Sequence, residues 1–126
     1  MAETEKKRIL IADDDEFCRA SLGRFLRQCG YAVTEAADGT QALRLAGRNG
    51  ISLCIIDYHI PGEPCDRVVA KLRDENETPC IIVTGDHSDA TEKRARSLSP
   101  QFFFCKPMEM NDLKAVVDTI IKGRNG

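Results

Sequence analysis

The apolar residues of the chain fall into two alternating patterns. Short runs rich in β-branched residues, Ile-Leu-Ile-Ala (9–12), Cys-Ile-Ile (54–56) and Ile-Ile-Val (81–83), are too continuous for strands with one wet face. They suit a parallel sheet covered on both sides. Such runs predict strands at 8–13, 31–36, 51–57, 79–84 and 101–105. Between them, apolar residues recur at steps of three and four, which predicts helices. The first follows Asp13-Asp14-Asp15, turns Phe17, Leu22, Phe25, Leu26 and Cys29 inward, and ends at Gly30. The second starts near Asp38-Gly39-Thr40 and carries Ala42, Leu43, Leu45 and Ala46. The third runs over 66–75 with Val68, Val69 and Leu72 inward. The fourth, 89–97, has few large apolar residues and should be the least stable. The fifth opens near Asn111 and presents Leu113, Val116, Val117, Ile120 and Ile121. Strand and helix alternate five times, so the chain is expected to be an α/β protein, a doubly wound (βα)5 parallel sheet with right-handed crossovers. Residues 1–7 are expected to be a tail, 8–122 the domain, and 123–126 a tail or the start of a linker.

A length of 126 residues favours one domain, and a 42% hydrophobic content is enough for a core. The formal net charge of −2 offers no basic footprint for direct nucleic-acid binding. No apolar run approaches a membrane span, and Met-Ala-Glu-Thr-Glu-Lys-Lys-Arg lacks the apolar region of a signal peptide, so a cytoplasmic location without membrane insertion is expected. The six cysteines, 18, 29, 54, 65, 80 and 105, are widely spaced and contain no Cys-x-x-Cys pair. They read as reduced and mostly buried thiols rather than disulfides or a zinc site. Cys54, Cys80 and Cys105 lie in apolar runs and should be inside, whereas Cys65 falls in a loop and should be the exception.

The chemistry gathers where the apolar runs end. In an open parallel sheet, ligands bind just outside the carboxyl ends of the strands. Asp13, Asp57, Thr84 and Lys106 each follow such a run, so carboxylates, a hydroxyl and an ammonium should meet at one edge. Every one of them also has an ordinary explanation. The Asp13-Asp14-Asp15 triplet suits a helix start, although three like charges there also invite a hard cation. Asp57 suits a turn, but it could equally be a nucleophile that forms an aspartyl phosphate. Ile60-Pro61-Gly62 forces a turn that leaves it open at the mouth. Thr84 suits a strand end. Lys106 suits a solvated loop, where its truncation would remove no core volume and cost no more than about 1 kcal/mol. Pro107 stops the strand and fixes where the amine projects. A lysine ammonium is a compact charge suited to a phosphate oxygen.

Taken together, these residues resemble the receiver domain of two-component response regulators, and the chain is similar to single-domain chemotaxis-type regulators over 8–122. The resemblance implies a flavodoxin-like sheet of order 2-1-3-4-5. It implies that Asp13 and Asp14 hold Mg²⁺ (or Mn²⁺), and that Asp57 is the phosphoacceptor. The metal would lie on Asp14, Asp57 and the His59 backbone carbonyl, with Asp13 acting through water. Thr84 and Phe103 would be switch residues, with Phe103 turning inward, and Lys106 would bind the phosphate. Gly85, His59 and Pro107 would border the pocket, with Glu63 or Asp86 close enough to hold the His59 ring. The loop after Asp57 departs from the family in reading Pro61-Gly62-Glu63-Pro64-Cys65, and Ser97-Leu98-Ser99-Pro100 replaces the usual Gly-Ala before the fifth strand.

The resemblance further implies a phosphoryl donor, either a sensor histidine kinase or a histidine phosphotransfer protein. An effector would bind a face made by the fourth helix, fifth strand and fifth helix, and a phosphorylation-dependent homodimer is allowed. The chain would assist its own phosphorylation without being a turnover enzyme. Two other readings stay open here. One is a degenerate receiver that only docks. The other is an aspartyl-phosphate phosphatase, because Asp13-Asp14-Asp15 contains an Asp-x-Asp similar to that of haloacid-dehalogenase-type phosphatases.

Overall fold

The structure, a computed structural model, describes residues 6–48 and 50–125. It contains β1 (Arg8–Ala12), α1 (Glu16–Gln28), β2 (Ala32–Ala36), α2 (Gly39–Ala46), β3 (Ile51–Asp57), α3 (Cys65–Asn76), β4 (Cys80–Thr84), α4 (Asp89–Ser97), β5 (Phe102–Cys105) and α5 (Met110–Asn125). The strands form one sheet of order β2-β1-β3-β4-β5, and every pairing is parallel. This is the expected flavodoxin-like doubly wound arrangement, with each strand within one residue of its expected position.

Strand side chains alternate between faces, so one sheet feeds two cores. Leu10, Cys54, Ile56, Ile82 and Phe103 face α2, α3 and α4, meeting Ala42, Val68, Leu72 and Ala95. Ile9, Ile11, Leu53, Ile55, Ile81 and Val83 face α1 and α5, meeting Leu22, Leu26, Leu113 and Val117. β3 has a strand on each side and helices over both faces, which explains why its sequence is almost unbroken apolar. Each fully buried Ile or Leu contributes about 2 kcal/mol.

Side-chain caps place the helices at the sheet edge. Asp15 accepts from the Cys18 N–H at 3.1 Å, Asp38 from Gln41 at 2.7 Å and Ser88 from Thr91 at 3.2 Å, starting α1, α2 and α4. The β3–α3 loop rests on the start of α2. Gly39 N–H donates to the Pro61 carbonyl at 2.7 Å, and a Cβ at Gly39 would lie 1.7 Å from the Glu63 carbonyl oxygen. Gly62 turns this loop at φ +83°, in the left-handed region. The non-standard loop is thus held by backbone contacts rather than by a glycine at its end.

Four expectations are corrected. Phe17 is not in the core and is 80% exposed. It lies five residues from Leu22, about 140° around the helix, so the inward stripe passes it by. Cys65 does not sit in a loop; it opens α3 and is buried against the sheet. Cys105 is exposed, because it is the last residue of an edge strand. The backbone of α5 runs to Asn125, so the residues expected to be a tail or the start of a linker are helical up to 125. Of the expected terminal tail, residues 1–5 lie outside the described residues.

Candidate functional site

The carboxyl edge gathers the charged groups by strand-end geometry. Asp13 directly follows β1, and its N–H still donates to the Ala36 carbonyl of β2 at 3.1 Å. Asp13 is 5% exposed and both its oxygens are engaged. Oδ1 accepts from the Asp15 N–H at 2.9 Å and Oδ2 from Lys106 Nζ at 2.7 Å. Arg19 Nη1 donates to its carbonyl at 2.8 Å. Asp15 is spent on capping α1, and the cap hydrogen bond from Cys18 lowers its pKa. The ordinary helix-start explanation therefore accounts for Asp15 and leaves the other two. Asp14 is exposed at the mouth.

β3 ends with Asp57, 9% exposed. Its Oδ1 accepts from the His59 N–H at 2.9 Å, and its Oδ2 accepts from Lys106 Nζ at 2.9 Å. Lys106 therefore bridges Asp13 and Asp57 from the end of β5. Burial pulls its pKa down, but the hydrogen bonds and charges of the two carboxylates outweigh that and hold the amine protonated above its usual range. Its ammonium is the counter-charge of two buried acids rather than a solvated loop charge.

Asp13, Asp14 and Asp57 each offer an oxygen within 4.8 Å of the others. Three carboxylates against one ammonium leave two negative charges uncompensated, and the donors are all hard oxygens. That set fits a divalent cation of the Mg²⁺, Mn²⁺ or Ca²⁺ type.

Thr84 is fully buried at the end of β4. Its Oγ1 accepts from the Asp86 N–H at 3.0 Å, and its carbonyl accepts from the Lys106 N–H at 2.8 Å. Gly85 leaves open space beside it, and Pro107 follows Lys106 through a cis peptide bond. Phe103 stands apart from the charged cluster, two residues before the end of β5. It is already turned inward at 8% exposure, with the Arg96 guanidinium 5.1 Å from its ring centroid.

The His59 ring pairs with Asp86 at 2.9 Å, one of its two expected partners, while Glu63 pairs instead with Arg67 at 2.7 Å. Three contacts at this edge had no sequence signal. Thr91 Oγ1 donates to Asp86 Oδ2 at 2.6 Å, His87 Nε2 meets the Lys106 carbonyl at 2.8 Å, and Arg19 holds the Asp13 carbonyl. The hydrogen bonds from Thr91, Ser88 and His59 hold the Asp86 carboxyl well below its usual range. Among the described residues, no helix is long and apolar enough to cross a membrane.

Comparison with known proteins agrees with this geometry. The chain is 27% identical over 116 residues to the transcriptional regulatory protein PdtaR of Mycobacterium tuberculosis, covering 91% of this chain and 57% of that protein. It spans about half the length of the curated relatives it matches. A CheY-like response regulator receiver domain protein from Methanospirillum hungatei superposes with a TM-score of 0.88 at 24% identity, over 96% of this chain and 98% of that one. A response regulator from Burkholderia pseudomallei, solved with a phosphorylated aspartic acid, calcium and citrate, superposes with a TM-score of 0.79 at 27% identity, over 95% and 71%. The family model of the response regulator receiver domain matches residues 9–118, and with the acidic edge that these residues build, the chain belongs to that family.

Proposed function

We propose that this chain, with residues 8–122 as its receiver domain, accepts a phosphoryl group onto Asp57 from a phosphohistidine of a sensor kinase or phosphotransfer protein. The observation that carries the reading is Lys106 bridging Asp13 and Asp57 beside Asp14. In the transfer, the phosphorus–nitrogen bond to the donor imidazole breaks and a bond to an Asp57 carboxylate oxygen forms. Asp14, Asp57 and the His59 carbonyl would hold Mg²⁺ or Mn²⁺, with Asp13 acting through water. The ion, when bound, supplies positive charge for the phosphoryl oxygens.

The protein's part is positioning and charge neutralisation. The Lys106 ammonium trades one carboxylate contact for a phosphoryl oxygen. Thr84 Oγ1 accepts from Asp86, which leaves its own hydrogen to donate to another. Gly85 and Pro107 shape the pocket wall, and the His59 ring borders it. Moving the Thr84 loop biases α4, whose first turn is tied to Asp86 through Thr91. Phe103, already inward, is the ring that the phosphorylated form would keep there. The α4-β5-α5 face then serves an effector or a second copy. The chain works in the cytoplasm as a signalling module rather than a turnover enzyme.

Incubation with acetyl phosphate and Mg²⁺ should add one phosphoryl mass to the wild type and none to Asp57→Asn. An acid-stable, base-labile adduct of the same mass on Asp57→Asn would overturn the assignment.

A further inference from the structure

The backbone of Lys106 is held on both sides by one loop. Its N–H donates to the Thr84 carbonyl at 2.8 Å, as the last rung between β4 and β5. Its carbonyl accepts from His87 Nε2 at 2.8 Å. The next residue is Pro107, which has no N–H, so the side chain of His87 is what fixes the far side of this peptide. His87 is itself held in place. The preceding residue, Asp86, accepts from the Ser88 N–H at 2.9 Å and from Thr91 Oγ1 at 2.6 Å, and meets His59 Nε2 at 2.9 Å. The loop is therefore moored to α4 and to the β3–α3 connection before it reaches across to Lys106.

A lysine carries its charge on a flexible four-carbon stem. Where that charge can reach depends on where the backbone under it is held. We propose that His87 is a positioning residue for Lys106, donating from Nε2 to the Lys106 carbonyl so that Lys106 and Thr84 move as one unit toward a phosphoryl group. This rests on the reading of Asp57 as the phosphoacceptor. It adds a residue that touches neither metal nor phosphate, in a loop whose spacing carries no motif. The ring must carry its hydrogen on Nε2 to donate, and nothing in the proposal depends on its charge. Removing one such hydrogen bond should weaken binding of a phosphoryl group by on the order of three- to tenfold.

The test is titration of the whole chain with beryllofluoride, a phosphoryl mimic, in the presence of Mg²⁺, followed by fluorine NMR. Binding by the wild type and its loss in Asp57→Asn support the underlying reading. Failure of the wild type to bind overturns that reading and the proposal with it. Given a binding wild type, His87→Ala should bind the mimic about three- to tenfold more weakly, with Mg²⁺ affinity and thermal midpoint unchanged. His87→Gln, whose amide donates at similar reach, should recover most of the loss. Wild-type affinity in His87→Ala would overturn the proposal, and so would an equal loss in His87→Gln. A parallel fall in Mg²⁺ affinity or melting temperature would also overturn it, because it would make the residue merely structural.

Discussion

Two polar clusters share the carboxyl edge of the sheet, and they are built on opposite plans. In the first, Lys106 lies between Asp13 and Asp57, whose side chains are 8% and 12% exposed. In the second, Asp86 of the β4–α4 loop shares hydrogen bonds with His59 of the β3–α3 loop and Thr91 of α4; Thr91 is buried, but the His59 and Asp86 side chains are 52% and 38% exposed. Buried charges that lose a partner stay desolvated, so the first cluster is coupled to folding. Exposed groups that lose a partner turn to water, so the second is coupled to geometry and rate rather than to stability. The site therefore separates what holds charge from what sets position.

The largest expected effect tests the first cluster. Lys106→Ala should destabilise the metal-free protein by about 1–3 kcal/mol, because two buried carboxylates lose their counter-charge. Millimolar Mg²⁺ should return part of the loss in thermal unfolding. An unchanged melting temperature in EDTA would erase the distinction between the clusters. Next comes the division of labour between adjacent acids. Asp14 is exposed and Asp13 is occupied, so Asp14→Ala should lower Mg²⁺ affinity by at least about tenfold without altering stability, and Asp13→Ala should lower it less. Equal affinities in Asp14→Ala and the wild type would show that the metal does not lie on Asp14. The smallest effect belongs to the second cluster. With Asp86 holding its ring and its N–H bonded to Asp57, His59→Ala should shorten the phosphorylated lifetime a few-fold and leave the melting temperature in place. An unchanged lifetime would reduce the ring to a solvated loop residue. A longer one would mean that the ring assists the hydrolytic water.

The same division explains what could be read before the fold was known. Asp13, Asp57, Thr84 and Lys106 stand directly after apolar runs. A buried parallel strand has a fixed direction, so its last polar residue has a fixed address. The strand positions followed from that pattern, and the strand order from the family that the site residues resemble. The partners of the second cluster carry no such address. That Thr91 faces Asp86, or that His87 reaches the Lys106 carbonyl, depends on the path of a short loop and the rotation of α4, and neither leaves a period in the sequence. The errors about Phe17 and Cys105 have a related origin. An apolar residue in an apolar neighbourhood reads as buried, although helix rotation carries one of them to the surface and the sheet edge exposes the other.

Gly39 gives the site a vulnerability far from its chemistry. It carries no charge, touches neither metal nor phosphate, and begins a helix on the far side of the β3–α3 loop. Yet its missing side chain is the space in which the Glu63 carbonyl rests. The smallest enlargement of that residue would have to displace a backbone rather than a side chain. The same loop contains His59, so the strain would travel along a handful of peptides to the residue that hydrogen-bonds Asp57. For anyone engineering this scaffold, Gly39 is a hidden constraint. Redesign of α2 has to leave this position alone, because it sets the spacing between helix and loop on which the surroundings of Asp57 depend.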